Sequence, residues 1–327
     1  MQFINYFKKL NTKEIYKNIP YYSEYLMQNM TITLASGSNL AVKIDGDQSW
    51  PTIMLLNGSI FNYHQFDPVY KPQLKKYLKN NYRIIQYDYE GIGQSSPKKH
   101  NFDFLTIVEQ HIELMDSLNI EKCHLFGISK GSIIGQIISG KYNNRVLSFS
   151  GYGNPYLSTT NTKNDFKDRV ENILLLQDIF DSQVDQNNFG RVFDTVYVPT
   201  IYYKKINELT LFEKLKNIWV KWKVKPMLIG VLIKNIHTLF LKYTESINVD
   251  EMNKYIEILK SISCPVLLIH GSKDETVPYL SSIELSKIIK HSKLKIIEGL
   301  SHSRPTVIPW EGSKIMREYA NFINSFN

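Results

Sequence analysis

Short apolar runs of strand length alternate with helical patterns along this chain, and several of the runs end in glycine or asparagine. Buried strands are expected at "TIMLLN" (Thr52–Asn57), "YRIIQYD" (Tyr82–Asp88), "CHLFG" (Cys123–Gly127), "VLSFSG" (Val146–Gly151), "PVLLIHG" (Pro265–Gly271) and "LKIIEG" (Leu294–Gly299). Helical patterns lie between or after them at Phe66–Lys79, Phe104–Leu118, Lys130–Tyr142, Tyr279–His291 and Glu311–Phe326. Continuously apolar strands linked by helices require a mostly parallel sheet covered on both faces, because each crossover lays a helix on one face. Upstream, "TITLA" and "LAVKI" flank "SGSN" and read as an antiparallel hairpin that opens the sheet.

The alternation stops between Asn154 and Ser263. Four helical patterns occur there: "NDFKDRVENILLLQDIF", "LTLFEKLKNIWVKW", "PMLIGVLIKNIHTLFLKY" and "VDEMNKYIEILKSI". This predicts a helical extension over 1–30, an α/β core over 31–154 and 264–327, and a helical cap or lid over 155–263. A cap inserted between core strands lies over the sheet edge where open α/β sheets bind ligands.

At that edge, "GISKG" (Gly127–Gly131) fits G-x-S-x-G with a strand before it and a helix after it. Such a turn presents the Ser129 hydroxyl to the cleft and aims the next backbone N–H at the same spot. A serine hydroxyl needs a base to take its proton and a carboxylate to orient that base. "LLIHGSKDETVP" offers Asp274 after one strand, and "IIEGLSHSRP" offers His302 after the next. Taken singly, Asp274 also reads as a helix cap with Glu275 as a competing acid, and His302 as a surface-loop histidine. The order Ser, Asp, His, each at a strand end, favours a catalytic triad. The loop "LLNGSIFNYHQFDP" supplies backbone amides at Ser59 or Ile60 that could join the Lys130 N–H in an oxyanion pocket, with His64 as a pocket-wall residue. "DYEGIGQS" lacks the G-x-G-x-x-G spacing of a dinucleotide loop and reads as a tight turn beside the elbow.

"LLNGS", "DYEGIGQS", "GISKG", "HGSKD" with Val277-Pro278, and "GLSHS" together resemble the α/β-hydrolase superfamily. The resemblance implies an α/β-hydrolase fold with Ser129 as nucleophile, Asp274 as acid and His302 as base. It also implies Ser59 and Lys130 as oxyanion donors through their backbones, with no cofactor and no metal. Two departures stand out: Asn57-Gly58 replaces the usual His-Gly of the oxyanion loop, and a lysine follows the nucleophile. Asn-Gly there, with "YDYEGIGQSSPKKH" and "IHGSKDE", also resembles bacterial enzymes that transfer 3-hydroxyacyl groups from acyl carrier protein. Three functions follow: a serine acyl hydrolase (carboxylesterase, lipase or thioesterase type), an acyltransferase with the same first half-reaction, and a non-catalytic ligand-binding homologue.

Composition decides the setting. Hydrophobic residues form 43% and charged residues 21% of the chain, as in ordinary globular proteins. No run of about 20 apolar residues marks a membrane span. The first twenty residues lack the apolar core and small-residue site of a secretory leader. Two cysteines, Cys123 and Cys264, make no disulfide framework. The expectation is a cytoplasmic enzyme. The net charge of +8 is concentrated in Lys204–Lys242, where nine lysines face only Glu208 and Glu213. That segment has no nucleic-acid-binding motif. Along Leu211–Trp222 the apolar residues Leu211, Phe212, Leu215, Ile218, Trp219 and Trp222 share one helical face, flanked by Lys214, Lys216, Lys221, Lys223 and Lys225. This suits an anionic membrane or an acidic carrier protein, or else a cap helix packed on the core with solvated lysines. The apolar stretch after it favours a greasy pocket and a long acyl substrate.

Overall fold

The computed structural model describes residues 29–59, 61–97, 104–156, 186–187, 189–194, 206–229 and 249–326. Eight strands form one sheet: β1 (Asn29–Thr33), β2 (Asn39–Asp45), β3 (Thr52–Leu56), β4 (Arg83–Tyr87), β5 (Cys123–Ile128), β6 (Val146–Tyr152), β7 (Val266–Gly271) and β8 (Ser292–Ile297). Their order is β1-β2-β4-β3-β5-β6-β7-β8, and only β2 runs against its neighbours. The expected hairpin and parallel sheet are both present. The chain leaves β3 for β4 on one side and then crosses back to β5 on the other. That reversal opens a crevice at the C-terminal ends of β3 and β5.

Seven helices matter for the site: α1 (Tyr70–Tyr77), α2 (Phe104–Ser117), α3 (Lys130–Lys141), α4 (Leu211–Leu228), α5 (Val249–Lys260), α6 (Leu280–Ile288) and α7 (Pro309–Asn324). Alternate strand residues feed two cores, as the two-residue period of a strand requires. Met54 and Leu56 of β3 join Leu125, Val266 and Leu268 beneath α2, α3, α5 and α6. Ile53 and Leu55 join Phe126, Ile128, Leu267 and Ile269 against α1 and α7. The cysteines are buried free thiols.

Two long helices of the 155–263 segment are described, α4 and α5. Helix α5 contributes Met252, Tyr255 and Leu259 to the core that contains Ile133 and Ile137 of α3, so its apolar face packs with the helical layer on the sheet. Helix α4 does not pack through the Leu211–Trp222 stripe. It buries Val220, Val224 and Met227, while Leu211, Phe212, Leu215, Ile218, Trp219 and Trp222 stay exposed. Residues 1–28 of the expected N-terminal helical extension, the helix over 164–180 and residues 230–243 lie outside the described residues, while Asn29 and Met30, the end of that expected extension, belong to β1. Among the described residues no helix is long and apolar enough to cross a membrane.

Candidate active site

The turn from β5 into α3 is built by two backbone contacts that tolerate no side chain. A Cβ on Gly127 would run into the Gly131 carbonyl, and a Cβ on Gly131 into the Leu56 carbonyl of neighbouring β3. Squeezed between them, Ser129 adopts φ 53° and ψ −115°. For a residue with a Cβ, that left-handed conformation costs about 1–2 kcal/mol. Two hydrogen bonds lock it: Ser129 N–H donates to the Tyr152 carbonyl at 3.0 Å, and Ser132 N–H donates to the Ser129 carbonyl at 2.8 Å. Ser129 is the N-cap of α3, so Lys130 contributes the helix's first amide, where the helix dipole favours negative charge.

Asp274 and His302 reach the same edge from the loops after β7 and β8. His302 Nδ1 lies 2.7 Å from Asp274 Oδ2, and the Asp274 side chain is fully buried. Asp274 Oδ1 accepts the backbone N–H groups of Thr276 (2.9 Å) and Val277 (2.7 Å), which fixes the carboxylate plane. Burial alone would raise this carboxyl's pKa. Charge and hydrogen bonds from His302 and His270 outweigh it and hold Asp274 well below the usual carboxylate range. The competing acid, Glu275, accepts the His302 backbone N–H at 3.2 Å. Burial, followed by the nearby Asp274 charge, raises its pKa. The pairing of imidazole with Asp274 therefore separates the two acids.

Gly153 joins these pieces. It follows Tyr152, whose carbonyl holds the elbow, and has φ +60°. A Cβ built on it would lie 2.7 Å from His302 Cε1, 2.8 Å from Nδ1 and 3.3 Å from Asp274 Oδ2. The imidazole thus rests on the bare backbone of the segment that anchors Ser129.

The loop after β3 lies against the elbow. A Cβ on Gly58 would sit 3.6 Å from the Ile128 carbonyl, and the Gly58 N–H donates to Gln65 Oε1 at 2.8 Å. Asn57 Nδ2 donates to the Phe61 carbonyl at 2.8 Å, folding the loop back. This is the work of the asparagine that departs from the His-Gly pattern. Ser59 is buried, and its Oγ has no hydrogen-bond partner among the described residues. Ile60 lies outside the described residues. His64 is held by Asp67 (Nδ1 to Oδ2, 2.8 Å), which also pairs with Lys43 at 3.3 Å and Lys71 at 3.1 Å. That places it in a charge cluster on the α1 side. "DYEGIGQS" packs beside the elbow as expected: Tyr89 OH donates to the Asn57 carbonyl at 3.2 Å, and Lys130 Nζ lies 4.4 Å from the Tyr89 ring centroid. Burial pushes the Lys130 ammonium down to about 7.

Three residues of this network escape a reading of sequence alone. His270 Nε2 lies 3.1 Å from the same Asp274 Oδ2 and 2.9 Å from the Val277 carbonyl, while its Nδ1 meets Ser282 Oγ at 2.6 Å. Asn154 Nδ2 donates to Ser282 Oγ at 3.0 Å, and Asn154 Oδ1 accepts from Ser132 Oγ at 2.6 Å. A continuous buried chain therefore runs from the first turn of α3 to the carboxylate of Asp274. The one available signal was the histidine four residues before the acid in "HGSKD".

This arrangement can be set beside known proteins. The sequence profile of the alpha/beta hydrolase fold matches residues 51–303. The chain belongs to the α/β-hydrolase fold family. Among its relatives, 3-oxoadipate enol-lactonase 1 of Acinetobacter baylyi is 35% identical over 107 residues, which are 33% of this chain and 38% of the relative. The bifunctional esterase/perhydrolase DCH of Acinetobacter calcoaceticus is 22% identical over 306 residues, 90% of this α/β hydrolase and 99% of the relative. The solved enol-lactonase of Burkholderia xenovorans LB400 superposes with a TM-score of 0.67 at 16% identity, covering 90% of this chain and 100% of that one. At that identity the likeness concerns the fold alone.

Proposed function

We propose that this member of the hydrolase family is a serine acyl hydrolase of esterase or thioesterase type, working through an acyl-enzyme. The observation that carries the reading is the strained Ser129, hydrogen-bonded to the Tyr152 carbonyl one residue before Gly153, on which an imidazole paired with a buried carboxylate packs. Asp274 accepts from Nδ1–H and so leaves Nε2 of neutral His302 as the base. His302 removes the Ser129 proton as Oγ attacks the acyl carbon, and the oxyanion forms toward the Lys130 and Ser59 amides. The intermediate then collapses, and the leaving alcohol or thiol takes the proton from His302. Water, deprotonated by the same imidazole, frees the acid. Esterase and enol-lactonase, the activities named for two relatives, both cleave an acyl–oxygen bond and fit this chemistry. The three site loops would then define the core unit, with α4 over its mouth as the remaining cap element.

A fluorophosphonate probe tests the nucleophile. The native chain should label at Ser129, Ser129→Ala should not label, and hydrolysis of p-nitrophenyl esters of graded chain length should fall by at least about 10³-fold in the variant. Equal labelling of both proteins refutes the assignment. The same ester series with added alcohol or amine acceptors separates hydrolysis from acyl transfer.

A further inference from the structure

Helix α4 has two apolar faces, and a helix buried on one side needs only one. At about 100° per residue, Val220, Val224 and Met227 centre on the inner side, where each is at most 1% exposed. Leu211, Phe212, Leu215, Ile218, Trp219 and Trp222 centre about 150° away and are 42–77% exposed. We propose that this outer face is a docking surface for an anionic lipid bilayer. The inference concerns where the molecule works and is independent of the acyl-hydrolase reading.

The arrangement of charge identifies the occupant. Lys214, Lys221 and Lys225 edge the apolar stripe on one side, and Lys216 and Lys223 edge it on the other. Glu213 is the single acid of the helix. It is tied up in the capping box with Thr210, its carboxylate accepting the Thr210 N–H at 2.8 Å. Lys221 also pairs with Asp194 at 2.6 Å. Lys223 Nζ stands 5.5 Å from the Trp219 ring and 5.1 Å from the Trp222 ring, so its stem lies along the indoles. Indoles at headgroup depth, aliphatic side chains between them and ammonium groups at the rim are graded as a lipid interface is graded. An acidic protein partner would instead put cations at the centre of contact and leave fewer large apolar groups bare.

The helix is also held so that the stripe points outward. The Asn62 backbone N–H donates to the Met227 carbonyl at 3.0 Å, and Asn62 Nδ2 donates to the Pro226 and Ile229 carbonyls, both at 3.0 Å. Rolling the outer face inward would break all three bonds and expose Val220 and Val224. Asn62 belongs to the loop that carries Gly58 and Ser59, so a bilayer engaged by α4 would lie close to the mouth of the candidate site.

The test is flotation of the full chain with extruded vesicles of phosphatidylcholine alone, or with about one third phosphatidylglycerol, alongside tryptophan emission. The native protein should float with the anionic vesicles and shift its emission to the blue, and high salt should weaken binding. Leu215→Ser with Ile218→Ser, and separately Lys214→Glu with Lys223→Glu and Lys225→Glu, should each weaken binding about tenfold or more while leaving the thermal unfolding midpoint within about 2 °C. Ser129→Ala should bind as the native chain does, which keeps loss of binding distinct from loss of chemistry. The proposal is overturned if native protein ignores anionic vesicles or if the substituted proteins float equally well. It is also overturned if sedimentation shows the face consumed in a dimer that these substitutions dissolve, or if an acidic acyl carrier protein binds it where vesicles do not.

Discussion

Replacing Gly153 with alanine adds one methyl group at the most crowded point of the candidate site. Carbon atoms in contact sit about 3.5–4.0 Å apart, and the new Cβ would start 2.7 Å from His302 Cε1. One of the two must give by about 1 Å. The Gly153 backbone is pinned by its N–H, which donates to the Ile269 carbonyl at 3.2 Å, so the imidazole is the group that moves. A displacement of that size in a reacting group costs about 10²-fold in rate, or about 2.7 kcal/mol. The φ of +60° at Gly153 adds about 1–2 kcal/mol of strain in the folded state, which a domain of this size withstands. Gly153→Ala should therefore lose about 100-fold in kcat/KM on a p-nitrophenyl ester while unfolding as one cooperative transition. If the methyl group acts by displacing His302, the same substitution in a His302→Ala background should cost nothing further. Activity within about threefold of native, or an equal loss in both backgrounds, refutes the geometry argued for the imidazole.

Two more substitutions probe the charges around the nucleophile. Lys130, 2% exposed, has a folded pKa pushed down to about 7 by burial, against an unfolded value near 10.5. The unfolded chain binds the extra proton between those values, so native stability should rise with pH from about 7 to about 10. Lys130→Met should flatten that slope and raise stability by a few kcal/mol, roughly 1.4 kcal/mol per pH unit of separation, at pH 6 and below. Urea unfolding across that range measures it, and an unchanged slope contradicts a buried titrating ammonium. Asp274→Asn puts an amide where two imidazoles meet Oδ2. Its NH₂ group favours the wrong His302 tautomer, so kcat should fall about 10³–10⁴-fold with KM little changed. A comparable loss in KM instead would assign Asp274 to substrate binding.

Strands β3 to β7 were legible because each is short, bounded by turn residues and mainly apolar, and five core helices because each spaces its apolar residues at helical intervals. The hairpin was legible from its turn, whereas β8, expected as a buried strand, is mostly exposed at the sheet edge. The Ser129 turn was legible for a different reason. Steric exclusion at Gly127 and Gly131 leaves a mark in composition itself, because only glycine fits against the Gly131 and Leu56 carbonyls. The carboxylate partner was legible only through order and strand ends, since Asp274 and Glu275 are adjacent and sequence cannot say which one faces an imidazole.

What was not legible shares one physical cause: it depends on pairings distant in sequence. His270 reads as an ordinary residue closing an apolar strand, and only the fold brings it to Asp274 on one side and to Ser282 and Asn154 on the other. The Leu211–Trp222 stripe was visible as a stripe, but periodicity measures amphipathicity and not which side of a helix meets the core. Val220, Val224 and Met227 form a smaller apolar set that periodicity outvotes, yet they are the ones that fit beneath α4. A helix that buries its lesser face and leaves its larger one exposed gains little from the larger face on folding, because those side chains meet water in the unfolded chain as well. The proposed bilayer would bury that face, which makes vesicle binding by α4 a more informative measurement than any further reading of its sequence.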